Sequence, residues 1–365
     1  MWKFLLCSAL FTALTSALII PSNIMLQLHE DPNFHYEAIR AIGTARYNGA
    51  DISEWSNLAE RVLSTIDESK LETYSPITLR DIYFRASHDF FIADFFLHGN
   101  PADPRMAEMF QNHGFEIPLI IYRAAEASKS VPRPTLIIGG GFDRNMEETL
   151  HDFGFAALER EYNVILYEGP GMPRLLHQQK KGFIHDWEKV VSPIMDYIET
   201  NKNGSLSFVD SSKIGLIGMS LGGYLAARAA AFEPRLAAVI CLDGVFAFMP
   251  ALESAMPERL ACPTRPLADD GTYSLQTKTV VEFFSRIPAW DLTGVAGNIQ
   301  MPALIGLAED DLFFKGQPEK VAEAIGFRAT LVYFGPDQAA HLHVASGALR
   351  YQNQAIFEWF AGVLD

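Results

Sequence analysis

The chain has 365 residues, 49% of them apolar, which suffices for one large core or a core with a cap. Its formal net charge is −15. Nucleic acid is therefore excluded as a natural partner, because phosphate binding needs a basic footprint. No repeat of 20–50 residues is visible.

Residues 1–20 begin with Met1-Trp2-Lys3 and continue as an apolar run through Ile20, with small residues at Thr15-Ser16-Ala17. This is the profile of a signal peptide for the secretory pathway. The run is marginal for a membrane anchor, which needs about 20 apolar residues, so no stable membrane span is expected. A cytoplasmic chain with this segment as a docked helix is the alternative. Asn203-Gly204-Ser205 is a glycosylation sequon in a polar loop. Of the three cysteines, Cys7 belongs to the leader, Cys241 to a core strand and Cys262 to a loop, and no disulfide is expected. No cysteine–histidine spacing suggests zinc, and neither a metal nor a cofactor is expected.

Residues 21–113 read as a helical cap. Tyr36–Tyr47, Ile52–Ile66 and Pro76–Leu97 carry apolar residues at three- and four-residue spacing. His88–His98 is rich in phenylalanine, which reads first as helix-on-helix packing and second as a substrate wall. From residue 114 to the end, strands alternate with helices. Ile117–Tyr122 is a strand, read as a partner of the strand Thr135–Ile138. Met146–Glu161 is a helix, Asn163–Tyr167 a strand and Trp187–Thr200 a helix. Further strands are predicted at Ile214–Ile217, Ala238–Leu242, Ala303–Leu307 and Thr330–Phe334, and Gly347–Leu364 closes as a helix. This alternation predicts an α/β fold with a mostly parallel sheet and helices on both faces. Residues 244–298 break the alternation for too long to be a simple connection, and read as a lid insertion over the C-terminal edge of the sheet.

The chemistry centres on Gly218-Met219-Ser220-Leu221-Gly222, which matches G-x-S-x-G between a strand and an alanine-rich helix. That elbow holds a nucleophilic serine in a sharp turn, and the helix start offers N–H donors to developing negative charge. A serine hydroxyl needs a base, and this architecture takes its acid and then its histidine downstream. Glu309, Asp310 and Asp311 follow one strand, and Asp311 is the expected acid. His341 follows the last strand and is the expected base, with His343 as its competitor. Leu221 supplies one backbone N–H to the oxyanion hole, and Phe142 or Gly141 in the loop Gly139–Phe142 supplies the other. Tyr224 and Asp143 are candidate substrate contacts. For Tyr224, packing against the cap is an equal reading.

With these motifs assembled, the chain resembles the α/β-hydrolase superfamily over residues 115–365. It resembles more narrowly the group of 2,6-dihydroxypseudooxynicotine hydrolase and the fungal polyketide-shortening hydrolases of pigment and secondary-metabolite pathways. The residues that carry this are Phe95–Pro101 with Asp103-Pro104-Arg105, Gly140–Asp143, Glu168–Gly171, Ser220 with Gly222-Gly223-Tyr224, and Ala308–Phe314 with Gly316-Gln317-Pro318. The resemblance implies an N-terminal helical cap and carbonyl substrates, some cleaved at a carbon–carbon bond. It also places the acid on Asp311 and the histidine on His341. Two features depart from the pattern: Met172-Pro173 follow Gly-Pro-Gly where Gln-Gly is usual, and the region between Ala50 and Ala59 is short. The expected function is a serine hydrolase of a small, aromatic or polyketide-derived molecule, attacking a β-diketone or related carbonyl. A carboxylesterase or lactone-forming cyclase with the same triad is the alternative, and a non-catalytic binder on this scaffold is the third reading. A homodimer is compatible with the sequence.

Overall fold

A computed structural model describes residues 52–86 apart from 76, 80 and 84, then 117–252 and 271–364. The segment read as a leader (1–20), the expected helix Tyr36–Tyr47, the phenylalanine-rich stretch His88–His98, Cys7, Cys262 and residues 253–270 of the expected lid lie outside the described residues. The chain divides into two compact units, one of Met1–Gln111 with Ala261–Asp270 and one of Asn112–Leu260 with Gly271–Asp365. Within the first unit, α1 (Ile52–Leu63) buries Ala59 and Val62 against Ala86. No helix among the described residues is long and apolar enough to cross a membrane.

The second unit is built on a seven-stranded sheet in the order β1-β3-β2-β4-β5-β6-β7. Its strands are β1 (Leu119–Tyr122), β2 (Arg133–Gly139), β3 (Asn163–Tyr167), β4 (Val209–Met219), β5 (Ala238–Leu242), β6 (Ala303–Ala308) and β7 (Ala329–Phe334). All neighbouring pairs are parallel except β1 with β3. The central strands read as unbroken apolar runs (Leu136–Ile138, Val164–Leu166, Ala238–Leu242) and are buried at every one of those positions. Helices on both faces of a parallel sheet leave its central strands no solvated side, so alternation disappears.

The helices of this unit that frame the site are α2 (Pro173–Gln179), α3 (Glu188–Asn201), α4 (Leu221–Ala230), α5 (Val280–Arg286), α6 (Gln317–Ile325) and α7 (Leu349–Leu364). An ion pair joins α3 to α4, Glu188 to Arg228 at 2.8 Å.

Three expectations change. First, β1 pairs with β3, Leu119 opposite Tyr167, and not with β2. Both edges of β2 are already taken, by β3 at Thr135–Asn163 and by β4 at Thr135–Ile214. Second, the serine strand is longer than its apolar stretch, because β4 starts at Val209 and includes the polar residues Asp210–Lys213. Third, the helix expected over Met146–Glu161 is two short α-helical pieces, Met146–Thr149 and Phe155–Leu158, joined by a π turn at Leu150–Gly154. Met172-Pro173, the departure noted in the sequence, has a local cause: Pro173 opens α2, where its missing N–H costs nothing.

Candidate active site

Ser220 sits between β4 and α4 with φ 56° and ψ −127°. A non-glycine residue there is strained by its Cβ, and the surroundings have to hold it. They do so on several sides. Its N–H donates to Leu242 O at 2.8 Å and its carbonyl accepts from Gly223 N at 2.9 Å. The elbow is packed so closely that a Cβ on Gly218 would collide with the carbonyl of Gly222, and one on Gly222 with that of Gly140. This is what the two motif glycines do. One lets the helix fold back on its strand, and the other lets it meet the loop after β2.

Gly218→Ala is accordingly expected to destabilise the fold by about 3 kcal/mol, the upper range for an overpacked core. Urea unfolding checks it: the midpoint should fall with an unchanged slope, and an unchanged midpoint would mean that the elbow has room to spare.

Gly141 lies directly against the serine. A Cβ built there would stand 3.6 Å from Ser220 Oγ and 3.1 Å from its Cβ. The loop expected to line an oxyanion hole is therefore next to the nucleophile. Phe142, half-buried, stacks on Phe183 at 5.7 Å. Leu221 opens α4, and the first N–H groups of a helix have no partner within it.

Of the three adjacent acids after β6, Glu309 and Asp310 are exposed and Asp311 is 3% exposed. Its Oδ1 accepts from Phe313 N at 2.7 Å and Phe314 N at 3.2 Å. The same oxygen lies 3.0 Å from His343 Nδ1. That is hydrogen-bonding distance, although the ring is turned off the best hydrogen-bond direction. Burial alone would lower the pKa of His343, but Asp311 outweighs it, helped by Asp243 and Asp143, and holds the imidazole above its ordinary value. Phe313 and Phe314 pack edge-on to the ring at 4.8 and 5.8 Å.

The geometry favours the competitor, His343, over His341 as the partner of the acid. Asp311 meets His343, not His341. The His341 carbonyl accepts from Asp310 N at 2.8 Å, while its Nδ1 is buried with no hydrogen-bond partner. The two histidines are separated by Leu342, in an irregular loop that bends through Val344 at φ 55° and Ala345 at φ 48°. In such a turn, positions two apart do not share a face. Sequence spacing could not rank them.

Tyr224 is fully buried. Its hydroxyl donates to His185 O at 3.3 Å and its ring lies 5.3 Å from Trp290, so it packs within the domain. Asp143 is half-buried, and its charge is felt at His343.

Two features carried no sequence signal. One is a chain of aromatic contacts that runs from Phe142, beside the glycine loop after β2, to Phe314, beside His343. Phe142 meets Phe183 at 5.7 Å, Phe183 meets Trp290 at 6.2 Å, Trp290 meets Phe248 at 6.4 Å and Phe248 meets Phe314 at 6.0 Å. Phe248 and Trp290 belong to the insertion, and a backbone bond from Phe248 N to Trp290 O ties its two described ends together at 2.9 Å. Gln317 anchors it to α6, its Oε1 accepting from Phe246 N and Ala247 N. The other is Asp243, which lies close to Asp311 and His343. Polar atoms of the three residues all fall within 4.8 Å of one another. Such a trio could ligate a cation. Here backbone N–H groups already point at Asp311 Oδ1 and at both Asp243 oxygens, and hydrogen bonding accounts for the cluster.

A serine at a strained strand-to-helix turn, after the central strand of a parallel sheet and next to a glycine loop, is the arrangement of one fold family. Comparison bears this out. The chain is 27% identical to hydrolase LUC6 of Fusarium sp, over 92% of this chain and 97% of that one. It is 28% identical to 20-hydroxy-prefusarin hydrolase FUS2 of Gibberella moniliformis, over 61% of this chain and 63% of that one. Among solved structures, 2,6-dihydroxy-pseudo-oxynicotine hydrolase superposes with a TM-score of 0.68 at 20% identity, covering 86% of this chain and 88% of that one. The chain has the α/β-hydrolase fold. No protein-family model matches it. The chain shares the fold of that solved structure over most of both lengths, and its hydrolase relatives mark it as an enzyme of hydrolase type.

Proposed function

We propose that this α/β-hydrolase is a serine hydrolase that cleaves a carbon–carbon bond next to a carbonyl in an aromatic or polyketide-derived small molecule. The observation that carries the reading is the conjunction of the strained Ser220 with the pair of buried Asp311 and half-buried His343. The names of its relatives support the substrate class. One is named for a prefusarin and a solved neighbour for a dihydroxylated pseudo-oxynicotine. The aromatic contacts between Phe142 and Phe314 support it further, since flat unsaturated molecules pack well on ring faces and edges.

In this mechanism Ser220 Oγ attacks a ketone carbonyl while His343 takes its proton. Asp311 holds the imidazole in the right tautomer and stabilises the imidazolium. The oxygen becomes an oxyanion, held by the N–H groups of Leu221 and of Phe142 or Gly141. Collapse breaks the carbon–carbon bond, and the leaving carbon departs as an enolate. His343 returns the proton to it. A water, deprotonated by His343, then hydrolyses the acyl-serine to release an acid and free serine.

The test is a paired assay with p-nitrophenyl acetate and an aryl β-diketone, following acid and ketone products by mass. The diketone is expected to turn over at least about tenfold faster in kcat/KM, a discrimination of the size that one pocket contact supplies. Rapid ester hydrolysis with no diketone cleavage would keep Ser220 as nucleophile and defeat the carbon–carbon reading in favour of a carboxylesterase.

A further inference from the structure

Asp243 follows the last residue of β5 and is 1% exposed. Its own N–H donates to Gly306 O at 2.9 Å. Its Oδ1 accepts from Ala308 N at 2.7 Å, and its Oδ2 accepts from Val344 N at 2.5 Å. One carboxylate thus ties three places together: the end of β5, the end of β6 three residues before Asp311, and the residue immediately after His343.

The third tie matters because of the backbone it holds. Val344 and Ala345 have φ 55° and 48°. A β-branched residue with positive φ is a true outlier, since its Cβ crowds the adjacent carbonyl. Strain of this kind persists only where the surroundings over-determine it, and it collects at functional sites. A charge-assisted hydrogen bond to Val344 N is the strong kind, and it acts on the strained turn itself.

We propose that Asp243 is a positioning residue, a second carboxylate that fixes the turn carrying His343 to the ends of β5 and β6 and keeps a negative charge beside its imidazole. This rests on the reading of Ser220 as nucleophile and His343 as base. Asp243 touches no substrate and acts through His343.

The charges facing each group set the pH behaviour. His343 faces Asp311 first, then Asp243 and Asp143, and is held above its ordinary value against the effect of burial. Asp243 faces His343 and Asp311. Burial pushes its carboxyl up to about 6, Asp311 adds to this, and His343 with the two backbone donors opposes it. The two groups face each other, so their protonations are coupled. An opposite charge within about 4–6 Å favours the imidazolium. Removing the charge of Asp243 therefore lowers the pKa of His343.

The experiment measures inactivation of the full chain by a fluorophosphonate between about pH 5 and pH 9, since the bell-shaped profile reports the free enzyme's base. Wild type, Asp243→Asn, Asp243→Glu and Ser220→Ala are compared. In Asp243→Asn the acid-limb midpoint is expected to move down by about one pH unit. Its plateau rate should fall by about ten- to a hundredfold, because the amide cannot accept from both N–H groups and the turn shifts. Asp243→Glu keeps the charge and should keep the wild-type midpoint even where its plateau falls. A lower plateau in Asp243→Asn with an unmoved midpoint would make the residue structural only and overturn the proposal. So would an unchanged profile. Should circular dichroism show that neither variant folds, the wild-type acid limb decides. Two coupled protonations give a limiting logarithmic slope of two at low pH, and a slope of one overturns the proposal. Labelling that persists in Ser220→Ala would instead bring down the nucleophile assignment, and the role of Asp243 with it.

Discussion

Ser220→Ala is expected to lower kcat by about 10⁶-fold, the loss seen when the nucleophile of a comparable triad is removed. The reason is specific to this site. Ser220 holds φ 56° and ψ −127° whatever its side chain, because its backbone is bonded to Leu242 and Gly223 and wedged among Gly140, Gly141 and Gly222. Alanine inherits that backbone and loses only the oxygen. The fold should therefore be untouched. Thermal denaturation should give a Tm within about 2 °C of wild type, which corresponds to about 1 kcal/mol for a domain of this size. Covalent capture of a fluorophosphonate should vanish at the same time. A stable Ser220→Ala protein that still turned over its substrate at more than a small fraction of the normal rate would sink the serine mechanism.

His343→Ala should cost nearly as much, again about 10⁶-fold in kcat, while His341→Ala should stay within about tenfold of wild type, as for a residue that only packs near the site. The comparison is sharp because the two histidines are two residues apart in one loop. Of the two, His343 has a ring nitrogen at the Asp311 carboxylate, and three surrounding acids hold its pKa above the ordinary value. A base must be oriented by a third group before it can take a proton from serine, and Asp311 Oδ1 stands 3.0 Å from His343 Nδ1. Measured side by side, equal losses in both variants would mean that the loop as a whole is needed and would not single out a base. A larger loss at His341 would return the role to that residue.

Much of the fold was legible from local chemistry. The strands Asn163–Tyr167 and Ala238–Leu242 were read with the bounds they have in the structure, because each is a short apolar run flanked by polar or turn-forming residues. The elbow was legible for a related reason. Its strand, turn and helix lie within about twenty contiguous residues, and the spacing of its glycines reports a backbone conformation directly. Helices α2 and α6 were named by no sequence pattern, since both are under ten residues and carry a proline in the first two positions. Asp311 is buried while the adjacent Glu309 and Asp310 are exposed, a difference that three neighbouring acids do not display in sequence.

What the sequence by itself determined is therefore the set of local devices. These are the serine turn, the alternation of strand and helix that makes a parallel sheet, and the acid and histidine loops after the last two strands. Tertiary structure alone decided the partnerships. β1 goes to β3 because β2 has no free edge. Asp311 takes His343 because a strained turn at Val344 presents that ring and not the other. Asp243 joins the cluster through contacts with residues 65 and 101 positions away in the chain. The physical reason is the same in each case. A motif is a property of neighbouring residues, whereas a hydrogen bond between loops depends on where several strand ends converge, and nothing in the linear order records that convergence.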